Sequence, residues 1–267
     1  MTNKNLRTLV FLIQKGGVGK TTSVKNLAAA LSLLGKKCLV IDFDPQANAT
    51  LGLIGNEIDS KKSVYHLLIG KNQKWQDYLT KYQKGDVAFD LIQGGNNLAF
   101  AELELAAKPA RELWFRNKIL SKIEEESNYD FVLVDCQPSL GLLVINVLCS
   151  SNNNELVICG RPDEDSQEAI KFLFNSISSL REDIGVMPRD FKILLTQVSE
   201  KQLSHRKNYN QIDSDFPDNM FLNFIKKDTE LEKARDARLD IFNYNPQSEA
   251  ARKYMLIAKE IIGEIKQ

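Results

Sequence analysis

The chain has 267 residues, 43% hydrophobic and 26% charged, which is enough for one sizeable core and reads as a single domain over 1–267. Lysine plus arginine equals aspartate plus glutamate at 35 each, so net charge excludes no class of partner, and any basic patch is hidden in the sum. No apolar run approaches the roughly 18 residues of a membrane span, and the polar start Met1–Asn5 is no signal peptide, so a cytoplasmic protein is expected.

Residues 8–13 are aliphatic, β-branched or aromatic and read as a buried strand. Gln14-Lys-Gly-Gly-Val-Gly-Lys-Thr-Thr22 follows, and from Thr21 to Leu34 the residues Val24, Leu27, Ala28, Leu31 and Leu34 fall on one helical face. Strand, glycine-rich loop and helix is the context of a phosphate-binding loop. In it, Gly16, Gly17, Val18, Gly19, Lys20, Thr21 and Thr22 offer backbone N–H groups and the positive end of a helix to phosphate oxygens. Lys20 would reach the β- and γ-phosphates, and the Thr21 hydroxyl would ligate Mg²⁺. The strict pattern G-x-x-x-x-G-K-[ST] fails at Gln14, and a second lysine, Lys15, stands five residues before Lys20.

Gly35 ends the helix, and Lys37–Asp44 forms a second strand running into Asp42 and Asp44, with Pro45 stopping the ladder. A helix between two apolar strands is a βαβ unit, hence a parallel sheet whose strand-end carboxylates face a ligand crevice. Residues 51–128 carry weaker signals: helical patterns at 63–70, 75–82 and 98–105, a strand at 87–93, and a longer amphipathic run over 110–126. Trp114 reads as core, while nothing decides the place of Trp75. Asp130–Asp135 is an apolar strand ending in an acid that can hold Mg²⁺ through its water shell.

Strands are expected at 156–160, 191–196 and 220–225, with a helix over 166–180 capped by Asp163 or Asp165. Basic residues then gather: Lys201, His205, Arg206 and Lys207, followed by Lys226 and Lys227, and by Lys233, Arg235 and Arg238 among acids. A final amphipathic helix over 249–265, N-capped by Ser248, carries two alanines and a glycine along its apolar stripe and glutamates beside it, which favours docking on the core over a membrane surface. Cys38, Cys136, Cys149 and Cys159 form no C-x-x-C pair and read as buried thiols.

K-G-G-x-G-K-T over Lys15–Thr21 resembles the deviant Walker A motif of the ParA/MinD family of ATPases. Asp42-Phe-Asp-Pro-Gln-Ala-Asn48 resembles the family's second signature, and Asp130–Asp135 its Walker B strand. The resemblance runs from about residue 8 to 265 and is of the short, Soj-like kind. It implies an α/β P-loop fold, a three-layer, mostly parallel twisted sheet with helices on both faces. It implies ATP and Mg²⁺, with Lys20, Thr21 and Asp135 at the phosphates and metal, and Asp44 orienting the attacking water. Lys15 would cross a dimer interface to the partner's phosphates, so the ATP-bound form would be a homodimer. Thr196–Val198 would lie near the base. Non-specific double-stranded DNA would meet Lys201, Arg206, Lys207, Lys226 and Lys227, a ParB-like partner would trigger hydrolysis, and the ATP-bound form would sit on the nucleoid. Positioning of a protein cargo, or a MinD-like role at the membrane, are the alternatives. The family's D-x-P-P is altered at Cys136-Gln137.

Overall fold

The computed structural model describes residues 6–55, 58–150, 154–185, 188 and 190–265. Seven strands, β1 (Arg7–Leu12), β2 (Cys38–Phe43), β3 (Leu79–Lys84), β4 (Val87–Ile92), β5 (Phe131–Cys136), β6 (Asn154–Gly160) and β7 (Asp190–Leu195), form one sheet in the order β3-β4-β2-β5-β1-β6-β7. Every neighbouring pair is parallel except β3–β4. β2 and β5 are buried along their whole length, which explains their unbroken apolar sequences: strands covered on both faces have no water-facing side to alternate with.

The helices are α1 (Lys20–Leu33), α2 (Asn48–Ile54), α3 (Val64–Ile69), α4 (Leu98–Ala106), α5 (Ser121–Glu126), α6 (Leu142–Leu148), α7 (Glu164–Ile184), α8 (Leu203–Asp215), α9 (Thr229–Asp236), α10 (Ile241–Tyr244) and α11 (Glu249–Ile261). They lie on both faces of the sheet, and one apolar core runs from Leu6 to Ile261. α1 packs against α11, and Gly35 closes α1 at φ +75°, a conformation that costs other residues about 1 kcal/mol. Asp163, not Asp165, caps α7, accepting the Ser166 N–H at 2.8 Å; Ser248 caps α11 through Ala251 at 3.1 Å. All four cysteines are buried thiols.

Four expectations change. The helical pattern over 75–82 splits into a 3₁₀ turn at Trp75–Tyr78 and the edge strand β3. β3 turns into β4 through the two residues Gly85-Asp86, with Gly85 at φ +51°, so a hairpin wins over the helix. The run over 110–126 is helical but irregular, with a π-type stretch at Arg116–Leu120; the Phe115 N–H donates to Asn146 Oδ1 at 3.1 Å instead of to the preceding turn. Met220–Ile225 is no strand. It touches β7 only at separate points: the Phe221 and Ile225 N–H groups donate to the Ile193 and Leu195 carbonyls, so the segment carries extra residues between its contacts and forms no continuous ladder, while the Leu222 N–H donates to Glu260 of α11 at 3.0 Å. Trp114 is half-buried, with the Lys118 ammonium 5.0 Å from its ring centre, whereas Trp75 is the buried tryptophan, its indole N–H donating to Glu126 at 2.9 Å.

Candidate nucleotide site

The carboxyl ends of the parallel strands meet at one crevice. β1 lies between β5 and β6, and the chain builds outward from it in both directions, so the loop after β1 sits at the topological switch point of the sheet. That loop is the glycine-rich stretch. Gly17 and Gly19 have φ of +72° and +79°, where a side chain is strained, and a Cβ on Gly19 would also press on Thr196 Oγ1 at 3.2 Å. Gly16 differs: a Cβ there meets no protein atom within 4 Å.

β7 holds the loop from the side. The Thr196 hydroxyl donates to the Val18 carbonyl, and Gln197 Nε2 donates to the Gly17 carbonyl at 2.7 Å. Gln197 itself takes φ +52°, so the turn after β7 is bent to make this contact. Val18 is buried, and the loop's carbonyls are thereby turned towards protein.

α1 begins at Lys20 with no capping side chain and no acid in its first turn. The N–H groups of the first helical turn have no intrahelical acceptors and carry the positive end of the helix dipole. An end of that kind fits an anion. The Ser23 N–H donates to the Gly19 carbonyl at 2.9 Å, so the N–H groups of Lys20, Thr21 and Thr22 precede the helical ladder. The Thr22 carbonyl accepts from Asn26 at 2.9 Å.

Lys20, Thr21 and Asp135 converge. The Lys20 ammonium is paired with Asp135 Oδ1, and the Thr21 hydroxyl donates to Asp135 Oδ2 at 2.7 Å. Asp135 is wholly buried and Lys20 nearly so. Burial works against the Lys20 charge, but the Asp135 carboxylate outweighs it and holds the ammonium above the usual lysine pKa. Desolvating two such ions costs several kcal/mol each, which their attraction only about offsets, so the pair is a poor device for stability alone. Its value lies in presenting a charged ammonium and a carboxylate oxygen side by side at the helix end.

β2 adds two further acids. Asp42 is fully buried and accepts the backbone N–H and the hydroxyl of Thr50 at 2.8 and 2.7 Å. Burial, with the Asp135 charge next, pushes its pKa up to about 7 against the pull of those hydrogen bonds. Asp42 is thus a structural anchor for α2. Asp44, beyond the strand end, is 5% exposed, and its Oδ1 accepts the Gln46 N–H at 2.9 Å. The left-handed Ala47 (φ 51°) closes this turn into α2.

Lys15 stands apart from the Lys20 group. Its ammonium is bound by Asp163 at 2.8 Å and Asp165 at 3.0 Å, both at the start of α7. Asp163 also pairs with Arg161 at 3.2 Å, and Lys15 and Ser166 outweigh partial burial to hold its carboxyl below the usual range. The sequence offers these acids only as helix caps, because nothing in the spacing brings residues 163–165 to residue 15.

Of the basic residues further on, Lys201, Arg206, Lys207 and Lys227 are exposed, and Arg206 and Lys207 lie in the first turns of α8. Lys226 is different. It is half-buried and bound by Glu200 at 2.6 Å and Glu249 at 3.0 Å. With Lys227 it lines a cavity of about 130 Å³ that also includes Gly19, Thr22, Gln197, Arg235 and Tyr254, beside the loop. His205 accepts the Ser199 N–H on Nδ1 at 3.1 Å and takes no part in the crevice. Among the described residues no group of three or more His, Cys, Asp or Glu could hold a metal, and no helix is long and apolar enough to cross a membrane.

A family model described as an AAA domain matches residues 6–193. The chain is 33% identical over 259 residues to the chromosome-partitioning ATPase Soj of Treponema pallidum, covering 96% of this chain and 97% of that protein. It is 32% identical over 249 residues to the sporulation initiation inhibitor protein Soj of Bacillus subtilis, covering 93% and 95%. Among solved structures, the McdA–ATP complex of Cyanothece superposes with a TM-score of 0.82 over 98% of both chains, at 18% identity. On its P-loop crevice, its sheet order and these full-length likenesses, the chain belongs to the ParA/Soj family of deviant Walker A ATPases.

Proposed function

We propose that this protein is a Mg²⁺-dependent partitioning ATPase, an ATP-bound sandwich dimer that holds DNA non-specifically and lets go on hydrolysis. The observation that carries the reading is the uncapped start of α1 with Lys20, Thr21 and Asp135 gathered beside it. The N–H groups of residues 16–22 and the Lys20 ammonium bind the phosphates of ATP, and they stabilise charge as it builds on the leaving oxygens. The hard oxygens of Thr21 and Asp135 fit Mg²⁺, a cation that takes few protein ligands and keeps water, so a larger cluster of acids is not needed. Bound there, Mg²⁺ supplies Lewis-acid neutralisation of phosphate charge. Asp44, its carboxylate fixed by the Gln46 N–H, orients the attacking water.

Lys15 serves the partner's phosphates. Within its own subunit it is turned to Asp163 and Asp165, away from Lys20, so closing the dimer exchanges two carboxylates for a phosphate. Dimerisation doubles the exposed basic surface that includes Lys201, Arg206, Lys207 and Lys227, and DNA retention then depends steeply on both ATP and salt. A ParB-like protein is the expected trigger of hydrolysis, and plasmid or chromosomal DNA the cargo. Lys226 enters this reading as a wall of the cavity beside the loop more than as a DNA contact.

The test is Lys15→Gln. ATP binding is expected to persist and the ATP-dependent dimer to disappear in sizing experiments. A dimer unchanged by the substitution removes the trans-lysine role.

A further inference from the structure

The segment after Asp135, Gln137–Gly141, is gripped from outside by a residue that no motif singles out. Glu102 lies in the second turn of α4 and is half-buried. Its Oε1 accepts the backbone N–H of Leu143 at 3.2 Å and lies 3.5 Å from Gln137 Nε2. A Cβ built on Gly141 would stand 2.4 Å from the same oxygen. One carboxylate oxygen thus bonds the first turn of α6 just beyond the segment and lies beside the segment's first residue, and Gly141 gives it room. α4 cannot drift, because Leu98, Ala101 and Leu105 are buried in the core. It is also tied to the other acid-bearing turn. It follows Gly94, whose N–H donates to Thr50 Oγ1 at 2.9 Å, and that hydroxyl donates to Asp42.

We infer that Glu102 is a positioning residue for hydrolysis: its Oε1 clasps residues 137–141 in register with Asp135 and Asp44, acting through Gln137 and Gly141 and not on the nucleotide. This rests on the ATPase reading above. Gln137 departs from the family's proline, and a side-chain amide able to reach Glu102 replaces the stiffness a proline ring would give. Loss of a charged acceptor with two donors loosens the segment. Misplacement of groups beside the reacting centre lowers rate more than binding.

Steady-state turnover and nucleotide affinity are measured for the wild type, Glu102→Ala, Glu102→Gln, Gly141→Ala and the double variant Glu102→Ala with Gly141→Ala. Glu102→Ala is expected to lower kcat about tenfold with KM within about twofold, the size of one lost hydrogen bond. Glu102→Gln keeps an oxygen acceptor and recovers most of the rate. Gly141→Ala lowers kcat to a similar extent, yet adds little in the Glu102→Ala background, where the atom it would strike is gone. An unchanged kcat in Glu102→Ala, a change in KM alone, no recovery in Glu102→Gln, or losses that multiply in the double variant each overturn the positioning role while the ATPase reading stands. A wild type that binds ATP without turnover overturns both.

Discussion

Lys15 and Lys20 are each held by carboxylates from another element, whereas Lys201, Arg206 and Lys207 stand exposed on and just before α8. The first pair works at fixed geometry, with water largely excluded from Lys20. In the function proposed above the second set would act by summed charge, which salt screens within about 10 Å. A third lysine sharpens the contrast. Lys25 lies five residues after Lys20 in the same helix and is likewise buried, but its ammonium donates to the Gly52 carbonyl at 2.7 Å instead of to an acid. Burial pulls its pKa down to about 8, and the more distant Asp240 restores only part of the loss. In one helix, then, a touching carboxylate decides whether a buried lysine's pKa stands above or below its usual value.

The largest expected break in this comparison comes from the crevice. Asp44→Ala should lower ATP turnover by about 100-fold or more while leaving nucleotide affinity near that of the wild type, since it removes a group that acts only on the attacking water. Phosphate release and equilibrium binding check it, and normal turnover removes Asp44 from the chemistry. Next in size is the exposed set. Lys201→Glu, Arg206→Glu and Lys207→Glu together should weaken binding to random duplex evenly over sequences. They should also flatten the plot of log affinity against log salt by about 5 in slope, from three charges on each of two subunits, with ATP affinity unmoved. Filter retention at several salt concentrations reads both effects, and an unaltered slope places the DNA surface elsewhere.

The smallest effect concerns Lys25. Its folded-state pKa of about 8 lies below the ordinary 10.5, so between those values the unfolded chain binds more protons and stability rises with pH. The rise should amount to about 1–2 kcal/mol from pH 8 to 10 and should vanish in Lys25→Met, as judged from denaturant midpoints of both proteins. An identical pH dependence in the two would show that the ammonium is better solvated than its packing against Gly52 indicates.

The centre of the sheet was readable because burial on both faces writes itself as unbroken apolar runs, as in β2 and β5. The loop was readable because its demands are local: positive φ at Gly17 and Gly19, then a helix start. The edge was not. β3 is half polar, and the signal that it is a strand lies in the Gly85-Asp86 turn, not in its own alternation. Contacts made between residues far apart in the chain left no trace at either end. Lys15 gives no sign that Asp163 will meet it, Gly141 none that Glu102 needs the space, and Leu222 none that Glu260 will accept its N–H. Lys226 looked like one more exposed cation because the two glutamates that engage it lie 26 residues before it and 23 after.

The contact between Ser23 and Tyr254 has a consequence for how the molecule is made. The two hydroxyls lie 3.2 Å apart, Ser23 in the first turn of α1 and Tyr254 buried in α11, 231 positions later. The helix that presents the phosphate loop is therefore packed by a segment synthesised more than two hundred residues after it. During synthesis the loop exists long before its backing does, and non-local closure of this kind is slow. A nascent chain lacking residues 249–261 should bind nucleotide poorly even though it contains the entire crevice, so competence to bind would wait for the emergence of α11.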